Sequence, residues 1–329
     1  MLLSDSFPLP LDRPFTSEQA RRAGVNDHEL RELTRARLLR SPIRRVYVAA
    51  QLEDSRFVRR QVLELAVPPG SVIVDWSACW YWTSIDRPNA DLSDPALSVF
   101  RSRGHDRLRN GLVTSGQRWF RPDEIVPIAE NLFVTTPLRT AWDLGRFFAP
   151  VIALGGMDAL ARLDDFSRDD LLGQVERFRK QRGVVQLRML APLVDPRAES
   201  PGESALRWRW LETPGMPKPE LQIPVESETG EATYWVDLGL EDVRFGAEYF
   251  GEEFHDERTH DHDQSRIEEL EEAHDWTLCV FRRRNVFGQQ QDAGPTLLRG
   301  LLEARNSFGR FRGRRTTFSP VGRDRDKLF

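Results

Sequence analysis

Two carboxylates and a set of arginines carry the chemistry available to this sequence. Asp237 and Glu248 sit in runs 234–240 and 244–250, which read as strands on either side of Asp242-Val243. A tight antiparallel hairpin turning on that dipeptide sets Asp237 directly opposite Glu248 and Trp235 opposite Phe250, with facing Cβ atoms about 5 Å apart. Carboxylates held that close repel at neutral pH, and they either share a proton or bind a hard cation such as magnesium or manganese. Val236, Leu238, Leu240, Phe245 and Ala247 then face the core. The same spacing also suits an exposed hairpin with two ordinary surface acids.

The second chemistry is polyanion binding. From Arg13 to Arg45 nine arginines stand against four acids, and from Trp276 onward twelve basic residues stand against four. Between them, Glu248 to Asp275 holds twelve acids against Arg258 and Arg266. Basic ends suit a polyanion, while the acidic segment suits bound cations or a solvated helix face. Thr16 with Gln19, and Asn26 with Glu29, have capping-box spacing, and Gly24 closes the first helix they define. The second helix turns Leu30, Leu33 and Leu38 inward and Arg31, Arg35 and Arg37 outward. A strand at Ile43–Val48 begins with Arg44 and Arg45. Helix, turn, helix and basic hairpin outline a winged helix-turn-helix, which makes Arg31, Arg35, Arg37, Arg44 and Arg45 candidate contacts to duplex DNA.

The elements that must position these groups fall into four segments: an arm and winged helix at 1–55, a mixed α/β middle at 56–195, an αβββαβ unit at 196–290, and a helix with an arginine- and glycine-rich tail at 291–329. The fold class is therefore α/β, as an α+β multidomain chain. The middle carries predicted helices at 57–66, 158–163 and 168–180 and strands at 72–74 and 97–100. Polar Val194 to Gly202, with two prolines, marks the boundary. The last unit is predicted as helix 203–211, strands 221–225, 234–240 and 244–249, helix 263–274 and strand 277–281, before a helix at 296–305.

Composition limits the function classes. The chain has 329 residues, 40% of them hydrophobic and 30% charged, with a formal net charge of -4. No run approaches the roughly 18 apolar residues of a membrane span, and no secretory pattern opens the chain. Cys79 and Cys279 are too few for a disulfide framework, so a cytoplasmic location is expected. No phosphate-binding glycine loop, nucleophile elbow or zinc-protease motif occurs. His255, His260 and His262 invite a zinc site but lack a ligand pair at standard spacing. Tryptophans such as Trp76, Trp80 and Trp82 read as core.

Glu203-Ser204-Ala205-Leu206-Arg207, Val236-Asp237-Leu238, Ala247-Glu248-Tyr249-Phe250-Gly251, His255, Asp263-x-x-Arg266 and Trp276 together resemble the Vsr-like branch of the PD-(D/E)XK restriction-endonuclease fold. Thr135-Thr136-Pro137-Leu138-Arg139-Thr140-Ala141-Trp142-Asp143-Leu144, with the winged-helix outline, resembles actinobacterial proteins carrying an AbiEi-type antitoxin domain. The resemblance implies magnesium or manganese ligands at Asp237 and Glu248, with Glu203, His255 and Arg266 completing a catalytic site. Glu203 also fits the capping box that begins at Ser200, and Arg266 also suits ion pairing with neighbouring glutamates. Phe250 stands where the family places Lys or Asp, which implies weak metal binding and slow or absent cleavage. A DNA-binding protein with an endonuclease-like domain is thus expected. The alternative is a non-catalytic regulator or antitoxin of a type IV toxin–antitoxin or phage-defence system, with a toxin or defence protein as partner.

Overall fold

The computed structural model describes residues 2–4, 6–88, 97–101, 113–227, 230, 233–251 and 257–311. Among them are twelve α-helices and three sheets, a mixed α/β chain. Packing divides the chain into two compact units, Met1–Trp208 and Arg209–Phe329. The sequence placed its boundaries at 55/56, 195/196 and 290/291; the first is bridged by a shared core, and the division falls about two turns inside a helix instead of before it.

The first unit begins with β1 (Phe15–Thr16), α1 (Ser17–Arg22), α2 (Asp27–Arg35), β2 (Leu39–Ile43) and β3 (Val46–Ala49), the strands pairing in the order β1-β3-β2. Both expected capping boxes form. Thr16 Oγ1 accepts from Gln19 N at 3.2 Å, and Asn26 Oδ1 accepts from Glu29 N at 3.0 Å while the Glu29 carboxylate accepts from Asn26 N at 2.7 Å. Gly24, at φ +87°, ends the first helix as only a residue without Cβ does at no cost. Ile43–Val48 is not one strand, because the chain reverses at Arg44-Arg45, with Arg45 in the left-handed region at φ +68°. Next, α3 (Arg56–Ala66) lies across β1, β2 and β3, and its Val58, Val62 and Leu63 join Ile43, Val46 and Val48 in one core.

The remainder of this unit comprises β4 (Ser71–Ile73), α4 (Asp75–Thr83), β5 (Leu97–Arg101), β6 (Val113–Gln117), β7 (Ile125–Ala129), β8 (Leu132–Thr135), α5 (Pro137–Phe147), α6 (Pro150–Ala161), α7 (Arg168–Arg177) and α8 (Val184–Leu190). The strands form a mixed sheet in the order β6-β5-β4-β8-β7. Helix α4 escaped the sequence because it is buried from Asp75 through Tyr81, leaving no polar stripe to reveal a helical period. Trp76 and Trp80 are core, as expected.

An ionic network is buried beside this sheet. Asp143 of α5, with no exposure, accepts hydrogen bonds from Arg118 (2.9 Å), Arg139 (2.9 Å) and Arg146 (3.3 Å). Arg118 also reaches Asp75 at 2.8 Å, while Glu124 accepts from Arg139 and, at 2.9 Å, from Arg177. Aromatic faces line the cluster: the Phe178 ring centroid is 3.9 Å from the Arg146 guanidinium carbon, and the Phe100 centroid 4.4 Å from that of Arg118. Burial pushes the Asp75 carboxyl up against the pull of Arg118, and burial draws Arg146 down to about 10.

Helix α9 (Pro201–Glu212) contains the division between the units, at Trp208/Arg209. The second unit continues with β9 (Glu220–Glu226), β10 (Thr233–Leu240), β11 (Phe245–Tyr249), α10 (Glu257–Glu272), β12 (Thr277–Phe281), α11 (Arg283–Val286) and α12 (Ala293–Phe311). The expected αβββαβ order is present, and the sheet runs β12-β11-β10-β9 with β12 parallel to β11. Both faces are covered, so the five residues expected to share the core face are divided between them. Val236 packs with Ile223, Val225, Trp276 and Leu270 of α10, whereas Phe245 stacks on Trp210 of α9 at 5.3 Å and lies against Gly300 of α12. Val236 and Phe245 therefore face opposite sides. Gly246 makes room for this packing, since a Cβ there would stand 2.6 Å from Leu278 and 2.7 Å from Val236.

Asp143→Ala leaves three buried guanidinium groups short of an acceptor, and it should destabilise the chain by about 3–5 kcal/mol in denaturant unfolding. Arg35→Ala, which removes an exposed pair with Glu32, should leave the midpoint essentially unchanged.

Candidate functional site

The carboxylate hairpin keeps the expected register and stops one pair early. Leu240 pairs with Phe245, Gly239 with Gly246 and Leu238 with Ala247, around a four-residue turn at 241–244. The next pair would be Asp237 and Glu248, but the ladder does not extend to them. Instead Asp237 Oδ2 accepts the Tyr249 N–H at 2.8 Å, and the Phe250 N–H turns to the Phe281 carbonyl of β12 at 2.8 Å. A side-chain acceptor has replaced the backbone one at the end of β11. Asp237 and Glu248 thus sit on neighbouring strands at adjoining positions, rather than as a facing ladder pair. Trp235 and Phe250 are likewise beyond the ladder.

Glu248 is 1% exposed, because α10 covers the sheet face on which it lies. One of its carboxylate oxygens accepts from Arg266 Nη2 at 2.8 Å, and Arg266 Nη1 donates to the Trp235 carbonyl at 3.1 Å. Arg266 therefore spans β10 and β11 and pairs with the buried acid across the sheet. Tyr234 is drawn the same way, its hydroxyl donating to Glu269 at 2.6 Å.

The other expected members are placed as follows, so far as the described residues reach. Glu203 acts as a helix cap: its backbone N–H donates to Ser200 Oγ at 3.1 Å and its carboxylate accepts from Glu199 N at 2.8 Å. Burial raises the Glu203 carboxyl above its ordinary range. His255 lies outside the described residues, while His260, His262 and Asp263 fall within the backbone of α10. Among the described residues no group of three or more His, Cys, Asp or Glu converges as metal ligands. One of the two hairpin carboxylates already faces a guanidinium, the other holds a backbone N–H, and the expected third position is Phe250. Magnesium and manganese take several oxygen ligands, and of the expected carboxylates Asp237 and Glu248 are the two that lie on neighbouring strands, β10 and β11. Cysteine chemistry is also unsupported, since burial pushes Cys79 up to about 12 and Cys279 to about 11, leaving both as protonated thiols near neutral pH.

The arginines of the first unit are arranged differently. Arg31 and Arg35 lie on the outer face of α2, Arg37 follows its end, and Arg44 and Arg45 form the β2–β3 turn; all five are exposed. Leu30, on the opposite face of α2, is fully buried with Phe15, Ala20 and Leu39. Only Arg35 of the five has an ion pair among those described, with Glu32. The Arg45 carbonyl accepts the Ser17 N–H at 3.0 Å, so the hairpin tip is tied to the start of α1. This surface presents cations at positions set by helix and hairpin backbone.

The buried network around Asp143 was not foreseen as a site. Its one sequence signal is the spacing Arg139-x-x-x-Asp143-x-x-Arg146, which places three charges on one helix face.

No family model matches the chain. Two uncharacterized proteins of Mycobacterium tuberculosis, one from each of two strains, are each 37% identical to it over 121 residues. That alignment covers 37% of this chain and 44% of each relative.

Arg266→Ala strands a buried carboxylate and should cost about 3–5 kcal/mol in denaturant unfolding, of which adding Glu248→Gln should recover a substantial part. A double variant as unstable as the two single losses added together would show that the pair is not coupled.

Proposed function

We propose that the protein binds duplex DNA through an N-terminal winged helix and acts as a regulator or antitoxin, its second unit keeping nuclease-like elements without a working metal site. The observation that carries this function is the set of exposed arginines on α2, at its exit and at the β2–β3 turn. In a winged helix the second helix enters the major groove and the hairpin follows the backbone. Exposed guanidinium groups at those places neutralise phosphates and release counterions. Helix α3 supports the module from behind by lying across β1, β2 and β3. The resemblance to AbiEi-type proteins adds a toxin–antitoxin or phage-defence setting, with a toxin or defence protein as partner. Among the described residues no helix is long and apolar enough to cross a membrane, and a cytoplasmic location fits a DNA-binding role.

A magnesium- or manganese-dependent endonuclease is the second candidate, favoured by the hairpin register that brings Asp237 next to Glu248. The Arg266–Glu248 pair and Phe250 weigh against it: the guanidinium supplies the positive charge a metal would, yet it cannot activate water as a Lewis acid.

Titration of labelled duplex DNA at several salt concentrations decides between these functions. Binding should weaken steeply with salt, and Arg44→Ala with Arg45→Ala should weaken it across sequences while lowering the salt slope by about 2. Unchanged binding in that variant would overturn the winged-helix assignment. Incubation of duplex DNA with magnesium or manganese should give no cleavage, whereas cleavage abolished by Asp237→Ala would establish the second candidate.

A further inference from the structure

We propose that exposed Trp119, backed by Arg177, is a stacking platform for an unpaired base, and that the adjoining run Arg179-Lys180-Gln181-Arg182 takes the phosphates of the same single strand of nucleic acid. Trp119 is 66% exposed, whereas Trp76, Trp80, Trp142, Trp210 and Trp276 are all buried. It is nonetheless held in place. Arg118 before it is tied to Asp75 and Asp143, and Phe120 after it is buried with Val72 and Val74. The Trp119 carbonyl accepts from Arg139 Nη1 at 3.5 Å.

The Arg177 guanidinium carbon lies 4.9 Å from the Trp119 ring centroid, and two hydrogen bonds to Glu124, at 2.9 and 3.2 Å, hold it there. A cation thus backs the indole, which presents its remaining surface to solvent. The order Arg177, indole, base would extend that stack, because every base offers a π-face and stacking tolerates sequence.

Charge complementarity selects the occupant. Arg121, Arg179, Lys180 and Arg182 are exposed, against exposed Asp123 and Glu176, and no acid occurs between Glu176 and Asp195. An acidic peptide would use those cations and gain little from an indole. A duplex keeps its bases stacked inside, out of reach of a surface tryptophan. Flat aromatic surface beside a cationic run therefore fits a single strand. The platform belongs to α7 and the segment after β6, so it is independent of the arginines on α2 and the hairpin.

The experiment uses the full chain and fluorescence anisotropy with labelled oligothymidine and oligouridine of about 15 nucleotides, within the footprint of such sites. Trp119→Ala should weaken binding about tenfold, Trp119→Phe should restore most of it, and K180E with R182E should nearly abolish it. Arg44→Ala with Arg45→Ala should leave it unchanged, which separates this site from duplex binding. Wild-type affinity in Trp119→Ala, or equal displacement of the oligonucleotide by a polyglutamate peptide and by unlabelled oligothymidine, would overturn the proposal. Because these side chains are exposed, the variants should melt at the wild-type temperature, and the charge variant tests the site without touching the indole.

Discussion

The first unit depends on Asp143. This carboxylate has no exposure and takes hydrogen bonds from three arginines, joining α5 to the segment after β6 and, through Arg118, to the start of α4. Arg139 and Arg177 carry the same network to Glu124 and α7. Removing so many charges from water is costly, and the attraction in a low-dielectric interior offsets it only when geometry and hydrogen bonding are complete. Arginine suits the task where lysine does not, because a planar fork of donors bonds two carboxylates at once and lies flat on phenylalanine. Four guanidinium groups face three carboxylates here, and the downward shift of Arg146 is the electrostatic consequence of its burial in that company.

The same device recurs in the second unit with a different outcome. Glu248 is buried beneath α10, where a lone carboxylate is unstable, and Arg266 supplies the counter-charge. A divalent ion in that place would need more oxygen donors than Asp237 and Glu248 provide. The ion pair ties α10 to the sheet. The strands of this sheet are held by Val236, Phe245 and their apolar partners.

Where arginines are not buried, they gather on surfaces that a polyanion can approach. Arg31, Arg35, Arg37, Arg44 and Arg45 occupy one such surface, and Arg179 and Arg182 another, though the whole chain is slightly acidic. The acidic excess is concentrated between Glu248 and Asp275, so net charge says little about either surface. The aligned relatives share 44% of their length with this chain and leave the chemistry of these surfaces to be derived from its own residues.

Local chemistry was legible in the sequence. Thr16 with Gln19 and Asn26 with Glu29 form their caps because both partners lie within one helical turn, and Leu240 meets Phe245 because a short turn leaves few registers open. The αβββαβ order followed from the same short-range periodicities, and the capping role of Glu203 from its spacing to Ser200. Helix α4 was hidden because a helix buried on every side has no amphipathic period. Only the tertiary structure decided that Arg266 would meet Glu248, that α10 and α12 would cover opposite faces of one sheet, and that Arg118, Arg139, Arg146 and Arg177 would converge on Asp143 and Glu124. Those pairings join groups far apart in the chain, and their strength comes from burial, a property of the assembled interior that no spacing in the sequence records.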